Sequence, residues 1–303
     1  MEDFRRMAIF AAVVERGSMS AAARQLDMTP SAVSQHIRQL EQEAGLTLLH
    51  RSTRQLTLTD AGQRFYNQCA AMCEAASRAR AELAAEHQRP SGELRLAAPA
   101  GFTQHAAPAL GRWLAMHPEL RLRLLMDDAP IDLIQARVDL ALRFGNLQDS
   151  SWVARHLGRS ATVLCASPHW ITAHGSTPRH PGELAQLPWL EMSRSDDAQA
   201  DFLWRQQGTA QEYRLQVRPL MVSNHRSAVQ QFCEAGLGLA LLSAHDVAAS
   251  LKAGNLVRLL PDWDMGMLDI WAVTASRDSL PAKVREAIEV LREYFAQLEG
   301  MQN

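Results

Sequence analysis

Two short helix patterns split by a tight break, followed at once by a basic alternating stretch, occupy Ser18 to Gly62 and leave this chain few folds to choose from. At the break, Thr29 is a good N-cap residue and Pro30 stands at the first helical position, where a missing N–H costs nothing, so a new helix starts at Pro30. Upstream, Ser20 is placed to cap AAARQL, whose Ala22, Ala23 and Leu26 share a face at helical spacing. In the second helix Val33, Ile37 and Leu40 form the apolar stripe, leaving Ser31, Ser34, Gln35 and Arg38 on the solvated side. Gly45 reads as the glycine that ends it. The stretch LTLLHRSTRQLTLT then alternates apolar and polar residues as a strand pair does, with Arg51, Thr53 and Arg54 at its tip. This is the element order of a winged helix-turn-helix.

Such a helix face suits the major groove of DNA, because Gln bonds adenine through N6 and N7, Ser bonds several base edges, and Arg reaches a base or a phosphate. Charges at a wing tip meet phosphate and add affinity that falls as salt rises, without reading sequence. Thr29, Pro30, Ser31, Ser34, Gln35, Arg38, Arg51, Thr53 and Arg54 are therefore the candidate contacts to double-stranded DNA. The competing reading is a helical hairpin packed inside an ordinary domain, its Gln and Arg merely solvated. A net charge of −2 over 303 residues excludes a generally basic coat protein, so any DNA-binding surface is local.

Beyond Thr59, which caps it, a long helical pattern carries Gly62, Phe65, Cys69, Met72, Ala76, Ala79 and Leu83 at alternating steps of three and four. The seam and its small residues make this helix, 60–88, a linker through which two chains pair, unless it simply packs on its own domain. HQRPSG ends it, and α/β order follows. ELRLAAP, LRLRLLM and VDLALRF are expected strands, TQHAAPALGRWLAMHP and PIDLIQA expected helices, and a parallel sheet is implied. A second series runs from Thr162 through TVLCASP, WLEM, YRLQV, PLMV, GLALLS and LVRLL, with helices at about Ser227 to Glu234 and Asp246 to Lys252. LDIWAVTAS and a helix from Pro281 to Leu298 then rejoin the first series. The predicted architecture is a winged helix-turn-helix domain (1–59), the linker helix (60–88) and a two-lobed α/β domain of the periplasmic-binding-protein type (92–303). Lobe I takes about 92–161 and 268–303, and lobe II about 162–267.

The segments GSMSAAARQL, TPSAVSQHIRQLE, GLTLLHRSTR and LTLTDAG, in that order, resemble the amino-terminal domain of the LysR-type transcriptional regulators. DLALRFGNLQDSSWVARHL, LCASPHWI and CEAGLGLALLS extend the likeness through nearly the whole chain. The resemblance implies that Ser31, Ser34, Gln35 and Arg38 occupy recognition-helix positions and that Arg51, Thr53 and Arg54 occupy the wing. It further implies a regulator that assembles as a homotetramer, acts on promoter DNA and answers to a small-molecule effector; the cytoplasm is the expected location and RNA polymerase a further expected partner. Gln35 departs from the family, many members of which carry Arg there, and this alters the expected base preference.

In lobes of this type ligands sit beyond the carboxyl ends of the strands, where strand order reverses. The residues expected there are Ala100, Gly101, Phe102, Thr103, Asp127, Arg143, Phe144, Gly145, Asn146, Ser193, Ser223, Asn224 and Arg226. Thr103 and Asn224 are placed at helix starts, and two helix amino termini aimed into one cleft favour an anion. With Arg143 or Arg226 adding a full charge, the expected effector is a carboxylate or aromatic acid. The alternative is that these residues only cap helices and that each arginine pairs with a nearby Asp.

No cofactor, metal or catalytic site is expected. No G-x-S-x-G elbow, phosphate-cradling loop or H-E-x-x-H helix occurs, and GLGLAL is too incomplete for a dinucleotide fingerprint. Cys69, Cys73, Cys165 and Cys233 read as packed thiols, with Cys165 and Cys233 as possible neighbours. The absence of a long apolar run and of a signal-peptide core at MEDFRRM argues against a membrane or exported protein. An architectural DNA-binding protein without an effector is the rival class. It has no use for some two hundred residues of two-lobed domain.

Overall fold

The computed structural model describes residues 2–51, 56–128, 132–147, 152–193, 199–275 and 280–302, with the backbone alone for Arg51. The chain divides into two compact units, Met1–Ala85 and Glu86–Asn303. The first holds three helices, α1 (Glu2–Arg16), α2 (Met19–Gln25) and α3 (Pro30–Ala44). A strand pair follows, β1 (Leu49–Arg51) and β2 (Leu56–Leu58), and then the long helix α4 (Asp60–Gln88) begins.

Local chemistry explains each boundary. Gly17 turns the chain at φ +68, and Ser18, in extended conformation, accepts a hydrogen bond from the Ala21 amide at 3.1 Å, so Ser18 and not Ser20 caps α2. Ser20 already has helical neighbours on both sides and its side chain is not needed at the end. Thr29 caps α3 through Ala32 N with Pro30 in the first turn, and Gly45 closes the helix at φ +62. Ile9, Phe10 and Val13 of α1 pack with Ala22, Ala23, Val33, Ile37 and Leu40 to form one core, sealed by Leu48, Leu49 and Cys69. The β1–β2 pair is antiparallel, with Leu49 opposite Leu58.

The second unit contains β3 (Gly92–Ala98), α5 (Thr103–Met116), β4 (Leu120–Met126), β5 (Leu140–Phe144), β6 (Val153–Ala166), α6 (Pro168–His174), β7 (Trp189–Met192) and β8 (Ala200–Gln206). It continues with β9 (Glu212–Val217), β10 (Met221–Ser223), α7 (Arg226–Glu234), β11 (Leu239–Ser243), α8 (Ala244–Ala253) and β12 (Val257–Leu259). The last elements are β13 (Trp263–Asp264), β14 (Met267–Thr274), α9 (Ala282–Gln297) and β15 (Met301–Gln302). The main sheet runs β10-β7-β11-β6-β14-β5-β3-β4, with β12 and β15 also on β6.

This sheet is mixed, where a parallel one was expected. β3 lies parallel to β4 and β5, and β7 parallel to β10 and β11, but β6 and β14 run antiparallel to their neighbours and join the two parallel groups. β6 begins at Val153, well before Thr162, and spans 14 residues. It passes through Gly158, near which its register with β14 shifts; a glycine accommodates such an irregularity. Two further differences are local. The expected helix PIDLIQA begins outside the described residues, and its described part forms turns over 133–137: Asp132 Oδ1 accepts from the Ile134 and Gln135 amides and Arg137 takes φ +51, a stretch too short to offset helix nucleation. β8 has no counterpart in the expected strands; it pairs with β9 and β13 in a separate three-stranded sheet and contributes the fully buried Trp204.

One core gathers β3, β5, β14, α5 and α9 around Leu94, Leu142, Ile270 and Phe295. Two others, around Trp170, Trp189 and Leu239 and around Val163, Val229 and Leu242, belong to residues 163–263.

Candidate functional site

The α3 face is built by the core beneath it. Val33 and Ile37 are completely buried and Leu40 nearly so, which fixes the helix about its axis and turns Ser31, Gln35 and Arg38 to solvent, with Ser34 half-buried. Thr29 and Pro30 are exposed at its amino end, where Thr29 Oγ1 lies 3.1 Å from Ser31 Oγ. Gln35 and Arg38 make no hydrogen bond among the described residues, so both are free to meet a partner. Glu41, one turn further on, ties α3 to the strand pair: its Oε1 accepts from the Leu48 and Leu49 amides at 2.9 and 3.1 Å. Of the expected wing contacts, Arg51 has its backbone in β1, while Thr53 and Arg54 lie outside the described residues.

The seam on α4 divides in two. Gly62 and Cys69 are buried, Phe65 is half-buried against the first unit's core, 5.4 Å from the Phe10 ring, and Met72 is half-buried. Ala76, Ala79 and Leu83 are exposed, Leu83 at 71%. The packing reading thus holds for the first half of the seam, and the second half is an uncovered apolar strip. All four thiols are free. Burial, aided by Cys73, pushes Cys69 up to about 11, and burial pushes Cys165 and Cys233 up to about 12, so these thiols are protonated and unreactive at neutral pH. Cys233 lies beside Cys165, donating to its carbonyl at 3.4 Å.

In the second unit a cavity of about 80 Å³ lies where the carboxyl ends of β3 and β5 face the amino end of α7. Pro99, Gly101, Phe102 and His105 line it from one side, Asp128 and Phe144 from the strand ends, and Met192, Arg226 and Asp246 from the other. A groove of about 260 Å³ shares Gly101, Arg226 and Asp246 and adds Thr103, Gln104, Ser227, Gln230 and Gln231. Of the expected effector residues, Gly101, Phe102, Thr103, Phe144 and Arg226 line these spaces.

The others do not. Arg143 occupies the face of β5 opposite Phe144, as period-two alternation requires, and is absent from the cavity lining. Asp127 is exposed, and its neighbour Asp128 takes the inward place, its Oδ1 holding the Ala100 amide at 3.2 Å. Ala100 thus acts through its backbone. Gly145 engages β14, with its amide on Asp269 O and its carbonyl on Trp271 Nε1; Asn146 follows it and is absent from the lining. Ser193 donates its amide to Ser223 O, and Ser223 Oγ accepts from His225 N. Asn224 is exposed and precedes the helix start, which falls at Arg226 with His225 as the cap.

Pro99, His105, Met192 and Asp246 were not among the expected residues. Asp246 Oδ1 lies 3.0 Å from His105 Nε2, and His105 Nδ1 lies 2.7 Å from the Tyr294 hydroxyl. Burial alone raises the Asp246 carboxyl, but the His105 hydrogen bond and the charges of His245 and Arg226 bring it below the ordinary range. His245, fully buried, is held down at about 4, chiefly by desolvation. Arg226 donates to Ser243 Oγ at 2.9 Å and stands 4.0 Å from Asp246 Oδ2, so the arginine is paired with an Asp as well as facing the cavity. Asp128 Oδ2 is buried within 3.2 Å of His225 Nδ1 but without hydrogen-bond geometry.

Glu191, on β7 beside Met192, is pushed up to about 7 by burial, against the pull of Arg226. A carboxyl whose folded value exceeds its unfolded one stabilises fully below the unfolded value and loses that contribution as pH rises to the folded one. Here the window runs from 4.5 to about 7. Glu191→Gln is expected to melt with the parent near pH 4.5 and above it at pH 8. Melting curves across that range check this, and a gap that narrows as pH rises contradicts it.

A model of the LysR substrate binding domain matches residues 87–296, and a model described as bacterial regulatory helix-turn-helix protein, lysR family, matches residues 4–63. The chain is 36% identical over 290 residues to the HTH-type transcriptional regulator DmlR of Escherichia coli strain K12, covering 95% of this chain and 93% of that one. It is 34% identical to the HTH-type transcriptional activator AaeR of the same strain, with 98% and 96% covered. Among solved structures, the full-length virulence activator AphB of Vibrio cholerae superposes with a TM-score of 0.71 at 27% identity, covering 96% of this chain and 98% of that one. CrgA of Neisseria meningitidis, a LysR-type transcriptional regulator, gives 0.60 at 31% identity with 96% and 98% covered.

Proposed function

The chain belongs to the LysR family of bacterial transcriptional regulators, with a helix-turn-helix region and an effector-binding domain, and from that premise we propose that it is a ligand-gated, sequence-specific DNA-binding protein. The observation that carries the reading is α3, whose apolar side is fully committed to the core while Ser31, Gln35 and Arg38 are exposed to solvent. In this reading α3 enters the major groove, and residues 1–59 act as the DNA-binding domain. Residues 60–88 pair two chains along the exposed strip at Ala76, Ala79 and Leu83. Two recognition helices then address two half-sites. Two such pairs assembled as a homotetramer, cytoplasmic and in contact with RNA polymerase, complete the proposal; no described helix is long and apolar enough to cross a membrane.

Residues 92–303 form the two lobes, and the effector enters the cavity and groove at the amino ends of α5 and α7. Both helix ends carry a partial positive charge, and Arg226 adds a guanidinium. The cavity is well below the several hundred Å³ usual for larger ligands, so a small carboxylate suits it better than an extended aromatic acid. To act as a signal the carboxylate must bind the two arrangements of the assembly unequally.

A thermal-shift screen of the full chain against small mono- and dicarboxylates tests this. A ligand at a hundred times its Kd stabilises by about 2.7 kcal/mol. The shift is expected in the parent and absent in Arg226→Ala, and the same compounds should change the mobility of protein–DNA complexes. A screen in which every shift survives Arg226→Ala contradicts the assignment of this cavity.

A further inference from the structure

We propose that His105, His245 and Asp246 form a binding site for a divalent transition metal of the zinc class at the edge of this cavity. One ligand atom from each residue lies within 4.8 Å of the others. His105 Nε2 is 3.0 Å and His245 Nε2 3.4 Å from Asp246 Oδ1. Zinc bonds of about 2.0–2.2 Å in a tetrahedron place ligand atoms roughly 3.4 Å apart, so both separations are close to those a single ion draws together. The side chains are 7%, 0% and 9% exposed, so this is no chance cluster at a surface.

The second observation is His245 itself. Its ring is fully buried, and neither Nδ1 nor Nε2 has a hydrogen-bond partner. A buried polar side chain is rarely left so, because its desolvation goes uncompensated. A metal–nitrogen bond supplies a partner for Nε2, the nitrogen that faces Asp246. The imidazole is also held in place: its backbone amide donates to Ser160 Oγ at 3.2 Å, and its ring stacks on Phe144.

His105 has the outer partner that metal-bound histidines use. With Nε2 toward the ion, its Nδ1–H donates to the Tyr294 oxygen, which sets the tautomer and the ring orientation. Arg226 keeps the other carboxylate oxygen, Oδ2, and the exposed Gln104, now 3.1 Å from Oδ1, turns away when the ion binds. His105 and Asp246 line the cavity, so the fourth coordination position faces it. Water occupies that position at rest, and the carboxylate effector replaces it. This last step rests on the effector reading above, whereas the metal site does not.

The full chain, stripped by a chelator, is titrated with Co²⁺ in the visible range and then with Zn²⁺ in competition, and bound Zn²⁺ is counted after dialysis. One ion per chain and the absorption of tetrahedral cobalt are expected. Asp246→Asn and His245→Gln, with folding checked by circular dichroism, should each lose more than 100-fold in Zn²⁺ affinity. Tyr294→Phe, which leaves all three ligands intact, should lose about 10- to 100-fold. No ion retained by the parent, or equal retention in the parent and all three variants, overturns the site; the latter is an adventitious ion only. Zinc bound as expected with no response to any carboxylate keeps the metal site and sinks the effector reading.

Discussion

Gly62→Ala is expected to destabilise the amino-terminal unit by about 3 kcal/mol or more, at or beyond the upper end of what overpacking a tight site costs. In an ordinary helix the same change stabilises by close to 1 kcal/mol, so even the sign is informative. A Cβ at Gly62 would fall 2.1 Å from the Leu48 carbonyl oxygen and 3.0 Å from its carbon. That backbone cannot retreat. The Leu48 amide is held by Glu41, its carbonyl takes the Thr59 amide at 3.0 Å, and its side chain is buried in the core. Thr59 Oγ1 meanwhile donates to Thr47 O and accepts from the Gly62 amide, so the first turn of α4 is pinned against the start of β1. Urea unfolding should show a lower midpoint with unchanged slope. Gly101→Ala is the control: its Cβ meets nothing nearer than 4.0 Å, and stability should hardly change. Equal stability of Gly62→Ala and the parent contradicts this account of the α3–β1–α4 junction.

Gln35→Ala should cost about 1–3 kcal/mol at one base position and relax the preference there while leaving other positions alone. Gln35 lies on the exposed side of a helix whose Val33 and Ile37 are fully buried, so removing its amide leaves the fold untouched and the effect falls on readout. Binding to a set of single-base variants of one target checks it. Uniform weakening across the set assigns Gln35 a backbone contact instead, and unchanged relative affinity removes it from the reading face.

The helix-turn-helix was legible because its signals are local. Thr29, Pro30 and Gly45 act on residues three or four positions away, and their caps appear where the sequence placed them. Ser18 and Ser20 carry the same chemistry, and only the turn at Gly17 decides between them. The cavity was half legible. Strand ends and helix starts located Gly101, Phe102, Thr103, Phe144 and Arg226, but alternation along β5 sets Phe144 inward and therefore Arg143 outward, a consequence the sequence already contained. His105 and Asp246 are 141 positions apart, and nothing short of the fold brings their side chains together. Asp246 read as an ordinary acidic residue at a helix start, the place where one helps most. The mixed sheet escaped because β6 is one strand serving two groups of neighbours, whereas hydrophobic patterning marks only that a strand exists.

The central claim is that α3 reads DNA sequence. Sequencing the genomic fragments recovered with the parent chain and with Gln35→Ala tests it most directly. The account predicts that the parent enriches promoter fragments sharing one near-palindromic site and that Gln35→Ala loses preference at one symmetric pair of positions within it. Recovery of fragments with no common site, or of the same site with every position unchanged in the variant, contradicts it.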